Sequence, residues 1–229
     1  MNASEPLVVC AGAGRTYGTG ETATVALQPT DCTIARGDRV ALVGPSGSGK
    51  STLLHLMAGL DEPTVGSVSW PGIGDREALR PGPVAVVFQG PSLLPPLTVV
   101  ENVALPLILD GRRDDEARAA ARRALELLGL VELGDKLPEE LSGGQAQRIA
   151  VSRALAGEPT LILADEPTGQ LDRTNGAAVV DVLLAAAAHA GAALVIATHD
   201  PTVAKRFPDS WEMHSGRLVT TQKEAAWSR

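Results

Sequence analysis

Gly44-Pro45-Ser46-Gly47-Ser48-Gly49-Lys50-Ser51 is the stretch that decides the fold. It fills the pattern G-x-x-x-x-G-K-[ST] completely. The short apolar run Arg39 to Val43 leads into it and reads as a buried strand. Ser51 to Leu60 follows and reads as a helix that stops before Asp61 and Pro63. Strand, glycine-rich loop and helix start, in that order, make a phosphate cradle. Glycines let the backbone curl around phosphate oxygens with no Cβ in the way. The freed N–H groups and the helix N-terminus favour negative charge there. Lys50 is placed to reach the β- and γ-phosphates, and the Ser51 hydroxyl to ligate Mg²⁺. Gly44, Pro45, Ser46, Gly47, Ser48, Gly49, Lys50 and Ser51, with Thr52 next in line, are therefore candidate nucleotide-binding residues. A plain Gly/Ser turn before a helix has no reason to carry the Lys-Ser pair. The motif alone says that the chain binds a nucleoside triphosphate.

Outward from the loop, apolar runs at Val84 to Phe88, Thr160 to Ala164 and Ala193 to Thr198 read as further strands. Helical stretches are expected at Thr98 to Ile108, Asp114 to Leu128, Gln145 to Leu155 and Ala177 to Ala188. The second of these opens on Asp114, Asp115 and Glu116, favourable for the helix dipole, and stops at Gly129. Leu125 and Leu128 supply part of its apolar stripe. Continuous apolar strands alternating with helices mean a parallel sheet covered on both faces. From about Gly90 to Leu141 only helices interrupt that alternation, which reads as an inserted helical subdomain.

Composition sets the outer limits. The 229 residues carry 20 Lys and Arg against 27 Asp and Glu, a net charge of −7, so a broad nucleic-acid-binding face is not expected. The basic residues Arg112, Arg113, Arg118, Arg122 and Arg123 are most simply a solvated face. With 44 % hydrophobic and 21 % charged residues, the chain is an ordinary globular domain rather than a disordered one. That length suffices for a core of its own, with no disulfide framework required. Cys10 and Cys32 are too few for such a framework and read as buried free thiols of a reducing compartment, though a bridge between them stays open. Val182 to Ala197 is the longest apolar stretch, but His189 and Gly191 interrupt it and it is too short to span a membrane. Met1 to Cys10 contains Glu5 and lacks a basic leader, so no secretory signal is expected. The expectation is a soluble, cytoplasmic protein whose contact with a membrane comes through a partner.

Two further sites carry chemistry. Leu161-Ile162-Leu163-Ala164-Asp165-Glu166 is a buried strand ending in two carboxylates. In parallel sheets ligands bind beyond the carboxyl ends of the strands. Asp165 is placed to hold Mg²⁺, directly or through water, and Glu166 to polarise an attacking water. Leu141-Ser142-Gly143-Gly144-Gln145 precedes a helix and is a second anion-binding nest. One nucleotide cannot occupy two nests in one chain, so a second copy supplying one of them, a dimer, is expected.

The order of these motifs resembles the ATP-binding-cassette (ABC) ATPases, over about residues 7–219. LSGGQ lies between a phosphate loop and an Asp-Glu strand; Val87-Phe88-Gln89 resembles the Q-loop and Gly169-Gln170-Leu171-Asp172 the D-loop. Thr198-His199-Asp200 resembles the switch-histidine loop, and Tyr17-Gly18 the loop whose aromatic stacks on adenine. The resemblance implies an α/β fold: a P-loop NTPase with a mainly parallel central sheet, an N-terminal antiparallel β subdomain and an inserted α-helical subdomain. It implies one ABC ATPase domain over 1–229, with a RecA-like core at about 1–89 and 156–229 and a helical subdomain at about 90–155. The implied cofactors are ATP and Mg²⁺, and the implied partners are a second copy of the chain and transmembrane permease subunits.

By the same resemblance, Ser142, Gly143, Gly144 and Gln145 of one copy face the γ-phosphate held by Lys50 of the other. His199 contacts that phosphate, Gln89 touches Mg²⁺ at the hinge to the helical block, and Asp172 communicates across the dimer. Lys50, Gln89, Glu166 and His199 form the implied catalytic set, and Ser51, Gln89 and Asp165 the implied metal set. No position of the pattern is degenerate, which implies a hydrolysis-competent homodimer.

Asp165-Glu166-Pro167-Thr168-Gly169-Gln170-Leu171-Asp172 is similar to the DEPTGNLD of the lipoprotein-releasing and macrolide-exporting branch. Leu93 to Pro106 and Ala58 to Thr64 match that branch as well. Gln170 departs from its usual Asn, and Gly66 to Val84 is short and irregular for it, with Pro71, Pro81 and Pro83. The chain ends soon after Gly216-Arg217-Leu218, so no C-terminal regulatory domain is expected. An export or lipoprotein-release ATPase is the leading expectation. An importer ATPase, a mechanotransmission ATPase that transports nothing, and a soluble regulator stand as alternatives. The transported substrate is not legible. The partner's coupling segment is expected in a groove near Gln89 to Glu101, where Pro91, Leu93, Leu94 and Pro95 follow the hinge; ordinary subdomain packing is the competing reading of those residues.

Overall fold

Alternating burial along two strands shows how the layers form. The computed structural model describes residues 5–223. Four residues of the expected leaderless start, and the last six of the expected 1–229 domain, lie outside that range. In chain order the elements are β1 (Val8–Tyr17), β2 (Thr24–Ile34), β3 (Arg39–Val43), α1 (Lys50–Met57), β4 (Val65–Ser69), β5 (Val84–Val87), α2 (Val99–Leu109), α3 (Asp114–Leu127) and α4 (Gly143–Leu155). Then follow β6 (Leu161–Asp165), α5 (Arg173–Ala190), β7 (Ala193–Thr198), α6 (Pro201–Ala204), β8 (Asp209–His214) and β9 (Arg217–Lys223).

β6 and β7 are buried along their whole length. Ile162, Ala164, Leu194 and Ile196 pack on one side with α5 and the helices α2 to α4. Leu161, Leu163, Val195 and Ala197 pack on the other with Leu53, Leu54 and Met57 of α1 and with Leu7 and Ile34. The period of two along a strand produces this split. A strand buried on both faces cannot alternate polar and apolar residues, so both strands are apolar runs. Each fully buried Leu or Val among them contributes roughly 1.5–3 kcal/mol.

The main sheet has the order β5-β6-β7-β3-β8-β9. All neighbours in it are parallel except β8 and β9. A separate antiparallel sheet, β2-β1-β4, covers the α1 side. The mainly parallel sheet, the antiparallel N-terminal sheet and a helical block between β5 and β6 agree with the expected fold class. Because β3 lies beside β7 and β7 beside β6, Val43 is level with Thr198, and Asp165 with Ala197. The three loops that leave these strands therefore emerge side by side.

The helical block is built on strong local signals. Thr98 and Glu101 form a reciprocal capping box at the start of α2. Arg118 on α3 bonds Asp114 one turn back and Glu101 on α2. These exposed ion pairs are worth a few tenths of a kcal/mol each; the apolar seam of Val103, Leu107, Ala121, Leu125 and Ile149 holds the helices together.

Several boundaries differ from the sequence reading. α4 starts at Gly143 rather than Gln145 because Ser142 caps it, and α5 starts at Arg173 rather than Ala177 because Asp172 caps it. The stretch after β4 holds a single 3₁₀ turn at Arg76–Ala78. It is tied down by Arg76, which donates to Gly59 O at 2.9 Å and pairs with Glu62, and by Arg80, which bonds Ala58 O. Cys10 and Cys32 are free and directly opposite each other across β1 and β2; Cys10 is buried, Cys32 only half-buried. Among the described residues no helix is long and apolar enough to cross a membrane.

Candidate functional site

Beyond β3 the chain turns sharply at Gly44. A Cβ there would sit 2.4 Å from Met213 O and 2.7 Å from Ser48 Oγ. At Gly49, with φ +99°, it would sit 2.6 Å from Ala26 O. Both contacts are with groups that cannot give way cheaply, so the close approach demands glycine. Pro45, Ser46 and Gly47 are exposed on the outer side of the loop, while Ser48 and Lys50 are buried. Thr52, half-buried, lies in the first turn of α1. Lys50 Nζ folds back along the loop and donates to Gly44 O at 2.8 Å and Pro45 O at 3.2 Å. Ser48 Oγ is buried with no hydrogen-bond partner. A cradle that a Cβ would fill and an orphaned hydroxyl inside it fit an anionic ligand with many acceptor oxygens.

The two acids at the end of β6 have different surroundings. Asp165 Oδ1 accepts from the Ser51 hydroxyl at 3.0 Å, and Oδ2 lies 4.0 Å from His55 Nε2. Glu166 sits in the left-handed region at φ +46°. That conformation costs a residue with a Cβ about 1–2 kcal/mol. It is held by Glu166 N, which donates to Ala197 O, and by Gly169 N, which donates to Glu166 O, both at 3.0 Å. The turn aims the Glu166 carboxylate across the strand ends. Oε1 is 3.4 Å from Lys50 Nζ, and Oε2 is 2.8 Å from His199 Nδ1. One carboxylate is thus shared between a nearly buried ammonium and an exposed imidazole. Asp200, next along, caps α6 through Thr202; hydrogen bonds from the Thr202 hydroxyl and N–H hold its carboxyl below the usual range. A cavity of about 500 Å³ lined by Val43, Gly44, Pro45, His199, Asp200 and Lys205 opens beside the loop.

Lys50, Ser51, Asp165, Glu166 and His199 are therefore brought together. Gln89 joins from the side: its Nε2 would be 3.2 Å from a Cβ at Gly169, so the amide lies on the turn that follows Glu166. The signature residues do not join them within one chain. Ser142 Oγ accepts from Gln145 N at 3.2 Å, and Gln145 Oε1 accepts from Ser142 N at 2.9 Å, a capping box closed on itself. A Cβ at Gly143 would meet nothing within 4 Å, and at Gly144 its nearest neighbours would be Asn175 and Leu171 at 3.7 Å. This helix start faces open space. Asp172 caps α5 through Asn175, whose backbone N–H and side-chain amide hold its carboxyl below the usual range. Tyr17 ends β1 and is 40 % exposed. Its hydroxyl donates to Asp61 at 2.8 Å, and the Arg15 guanidinium covers one ring face at 4.7 Å.

Three polar residues that hold the loop after β5 escaped the sequence reading. Asn102 is fully buried; its Oδ1 accepts from Leu94 N, and its Nδ2 donates to Leu94 O, Leu97 O and Thr98 O. Gln147 on α4 donates to Phe88 O at 3.0 Å. Arg153 on α4 donates to Ser92 O and Pro91 O, and its burial lowers the guanidinium from its usual value. Gln147 and Arg153 tie Phe88, Pro91 and Ser92 to α4, the helix that Ser142 caps, and Asn102 ties Leu94 and Leu97 to α2. Their only signal in the sequence was polarity at positions whose helical neighbours are apolar.

Among the described residues no cluster of three or more His, Cys, Asp or Glu is placed to hold a metal ion. The hydroxyl-carboxylate pair of Ser51 and Asp165 instead fits a hard cation that takes its other ligands from phosphate and water, as Mg²⁺ does.

Residues 27–169 match the ABC transporter family. The chain is 41 % identical to the lipoprotein-releasing system ATP-binding protein of Bordetella pertussis, over 95 % of this chain and 97 % of that protein. It is also 41 % identical to an uncharacterised ABC transporter ATP-binding protein of Mycobacterium tuberculosis, over 94 % and 90 %. Among solved structures it is similar to the dimeric ATP-binding cassette MJ0796 in a post-hydrolysis state bound to ADP and Pi. The TM-score is 0.87 at 35 % identity, covering 96 % of this chain and all of that one.

Proposed function

The chain belongs to the ABC transporter family and is an ATP-binding, ATP-hydrolysing subunit, and from that premise we propose that it works as a head-to-tail homodimer driving a separate permease of the lipoprotein-release or export type. The observation that carries the chemistry is the Glu166 carboxylate held between Lys50 and His199, beside the Ser51–Asp165 pair. The branch is supported by 41 % identity, over nearly the whole of both chains, to a lipoprotein-releasing ATPase. The dimer is supported by the open Ser142 helix start, which has no phosphate to meet within its own chain, and by the dimeric relative. Attachment to the inner face of a membrane would come through the permease.

In this reading Gly44 to Thr52 wrap the phosphates of ATP, with Lys50 as the buried cation among them. Ser51, Asp165 and Gln89 would hold Mg²⁺, which would supply charge neutralisation on the phosphate oxygens. Glu166 accepts the proton of the attacking water, a contribution of about 10²- to 10⁴-fold. His199, 2.8 Å from the same carboxylate, fixes its orientation and reaches toward the γ-phosphate. Ser142, Gly143, Gly144 and Gln145 of the second copy close the site and exclude water. Tyr17 offers adenine the ring face that Arg15 leaves uncovered, and Asp172 lies on the path between the two sites. The groove after the hinge, with Pro91, Leu93, Leu94 and Pro95, receives the permease.

The test uses a tagged Glu166→Gln variant, purified from native membranes in ATP and Mg²⁺. ATP turnover falls at least about 100-fold, the dimer persists, and a permease with few membrane helices and a large outer domain co-purifies. Normal turnover overturns the role of Glu166. A many-helix permease with a solute-binding protein replaces the export reading by import, and absence of any membrane protein by a soluble regulator.

A further inference from the structure

α1 presents Ser51 and His55 one helical turn apart, on the same face. The two residues address the two oxygens of one carboxylate. Ser51 Oγ donates to Asp165 Oδ1 at 3.0 Å, and His55 Nε2 lies 4.0 Å from Asp165 Oδ2. The nitrogen is shut off from solvent and has no hydrogen-bond partner, although a third of the side chain is exposed. The Phe88 ring, adjacent in sequence to Gln89, packs on the imidazole with centroids 6.2 Å apart and planes at 56°. A buried polar atom without a partner is uncommon and points to a partner gained in a working state. The acceptor that Nε2 faces is Asp165 Oδ2, and a closing shift of about 1 Å makes the pair a hydrogen bond.

We propose that His55 is a positioning residue: its Nε2–H holds Asp165 Oδ2 and so presents the carboxylate for Mg²⁺–ATP. The inference rests on the reading of Ser51 and Asp165 as the Mg²⁺ pair. Groups that orient a metal-binding carboxylate set the affinity of the ion without touching it, and losing one typically costs 10- to 100-fold. The imidazole acts here through its Nε2–H and is braced by Phe88; no proton is transferred.

Equilibrium titration with a fluorescent ATP analogue, once with Mg²⁺ and once with EDTA, tests this on the purified chain. The wild type binds more tightly with Mg²⁺. His55→Leu, which keeps the bulk and the helix propensity, loses about tenfold or more of that Mg²⁺-dependent gain. Its affinity in EDTA and its melting temperature stay unchanged. His55→Gln, whose amide N–H falls close to the site of Nε2, recovers most of the gain. Retention of the full gain by His55→Leu overturns the proposal, and so does an equal loss in His55→Leu and His55→Gln, which marks packing alone. Absence of any Mg²⁺ gain in the wild type, or its survival in Ser51→Ala, overturns the parent reading and this inference with it.

Discussion

Replacing Asn102 by Ala tests how the loop from Leu94 to Thr98 is held. The side chain is fully buried and serves Leu94 N, Leu94 O, Leu97 O and Thr98 O. Two of these four groups have other partners: Thr98 O accepts from Asn102 N within α2, and Leu94 O accepts from Leu97 N. The groups orphaned are therefore Leu94 N–H and Leu97 C=O. An unsatisfied buried group costs about 1–3 kcal/mol, so two give about 2–6. Leu94 is 43 % exposed, which lets water reach part of the loop. The lower half of the range, about 2–4 kcal/mol, is the expected loss. For a chain of this length that lowers the melting temperature by roughly 5–15 °C. Urea unfolding and scanning calorimetry read it directly. ATP affinity should stay near wild type, because none of the bonds touches the phosphate loop. Asn102→Asp keeps the acceptor for Leu94 N but turns a carboxylate oxygen onto Leu94 O, Leu97 O and Thr98 O in a fully buried position, so it should destabilise at least as much as Ala. A loss under about 0.5 kcal/mol for Asn102→Ala would refute the assignment of the loop's order to this one side chain.

Three other outcomes follow from the geometry. Gly44→Ala pushes a methyl to 2.4 Å from Met213 O, so nucleotide affinity should fall at least about 100-fold, by an estimate from misplacement of the binding backbone; near-normal ATP binding in a titration would contradict the cradle. Leu94→Asp should abolish capture of the permease in pull-downs while ATP binding by the isolated chain persists; loss of ATP binding would return Leu94 to simple packing. Burial pushes the Asp61 carboxyl upward, but hydrogen bonds from Tyr17, Glu62 N–H and Arg15 outweigh it and hold it below its usual value. A depressed carboxyl stabilises the fold above its unfolded pKa of about 3.9 and loses that contribution as pH falls through the lower folded value. Acid unfolding of Asp61→Asn should therefore lack this limb, a change of at most about 1 kcal/mol for so exposed a cluster; an unchanged acid profile would show that the cluster contributes nothing.

What was legible in the sequence was mostly local. Arg39 to Lys50 and Leu161 to Glu166 announce themselves because a doubly buried strand must be apolar and a phosphate loop must be glycine-rich. Both facts sit within about ten residues. β1, β2 and β4 came only through the family resemblance. Their burial is uneven and their pairing passes through register shifts at Ala13 and Arg15, so no alternating pattern marks them. The first turn of α5 was missed because Thr174, Asn175 and Gly176 are poor helix formers. The Asp172 cap offsets them, as the Ser142 cap does for two glycines in α4. Sharing of Glu166 between Lys50 and His199 was out of reach, since it depends on β3, β7 and β6 being neighbours. Asn102, Gln147 and Arg153 bond to backbone carbonyls up to 62 positions away, and a carbonyl has no signature in sequence.

The cap at Ser142 has a consequence for the hydroxyl itself. A serine oxygen carries two lone pairs and one proton. The bond from Gln145 N occupies a lone pair, which leaves the proton undirected by the cap and free to swing outward. Ser142 therefore keeps its proton to donate toward whatever arrives over the helix start, and its rotamer is already chosen before anything arrives. The rotational freedom that a flexible side chain surrenders on association was given up when α4 folded. Threonine should keep this aim, whereas alanine would remove the donor and unpin the helix start at once.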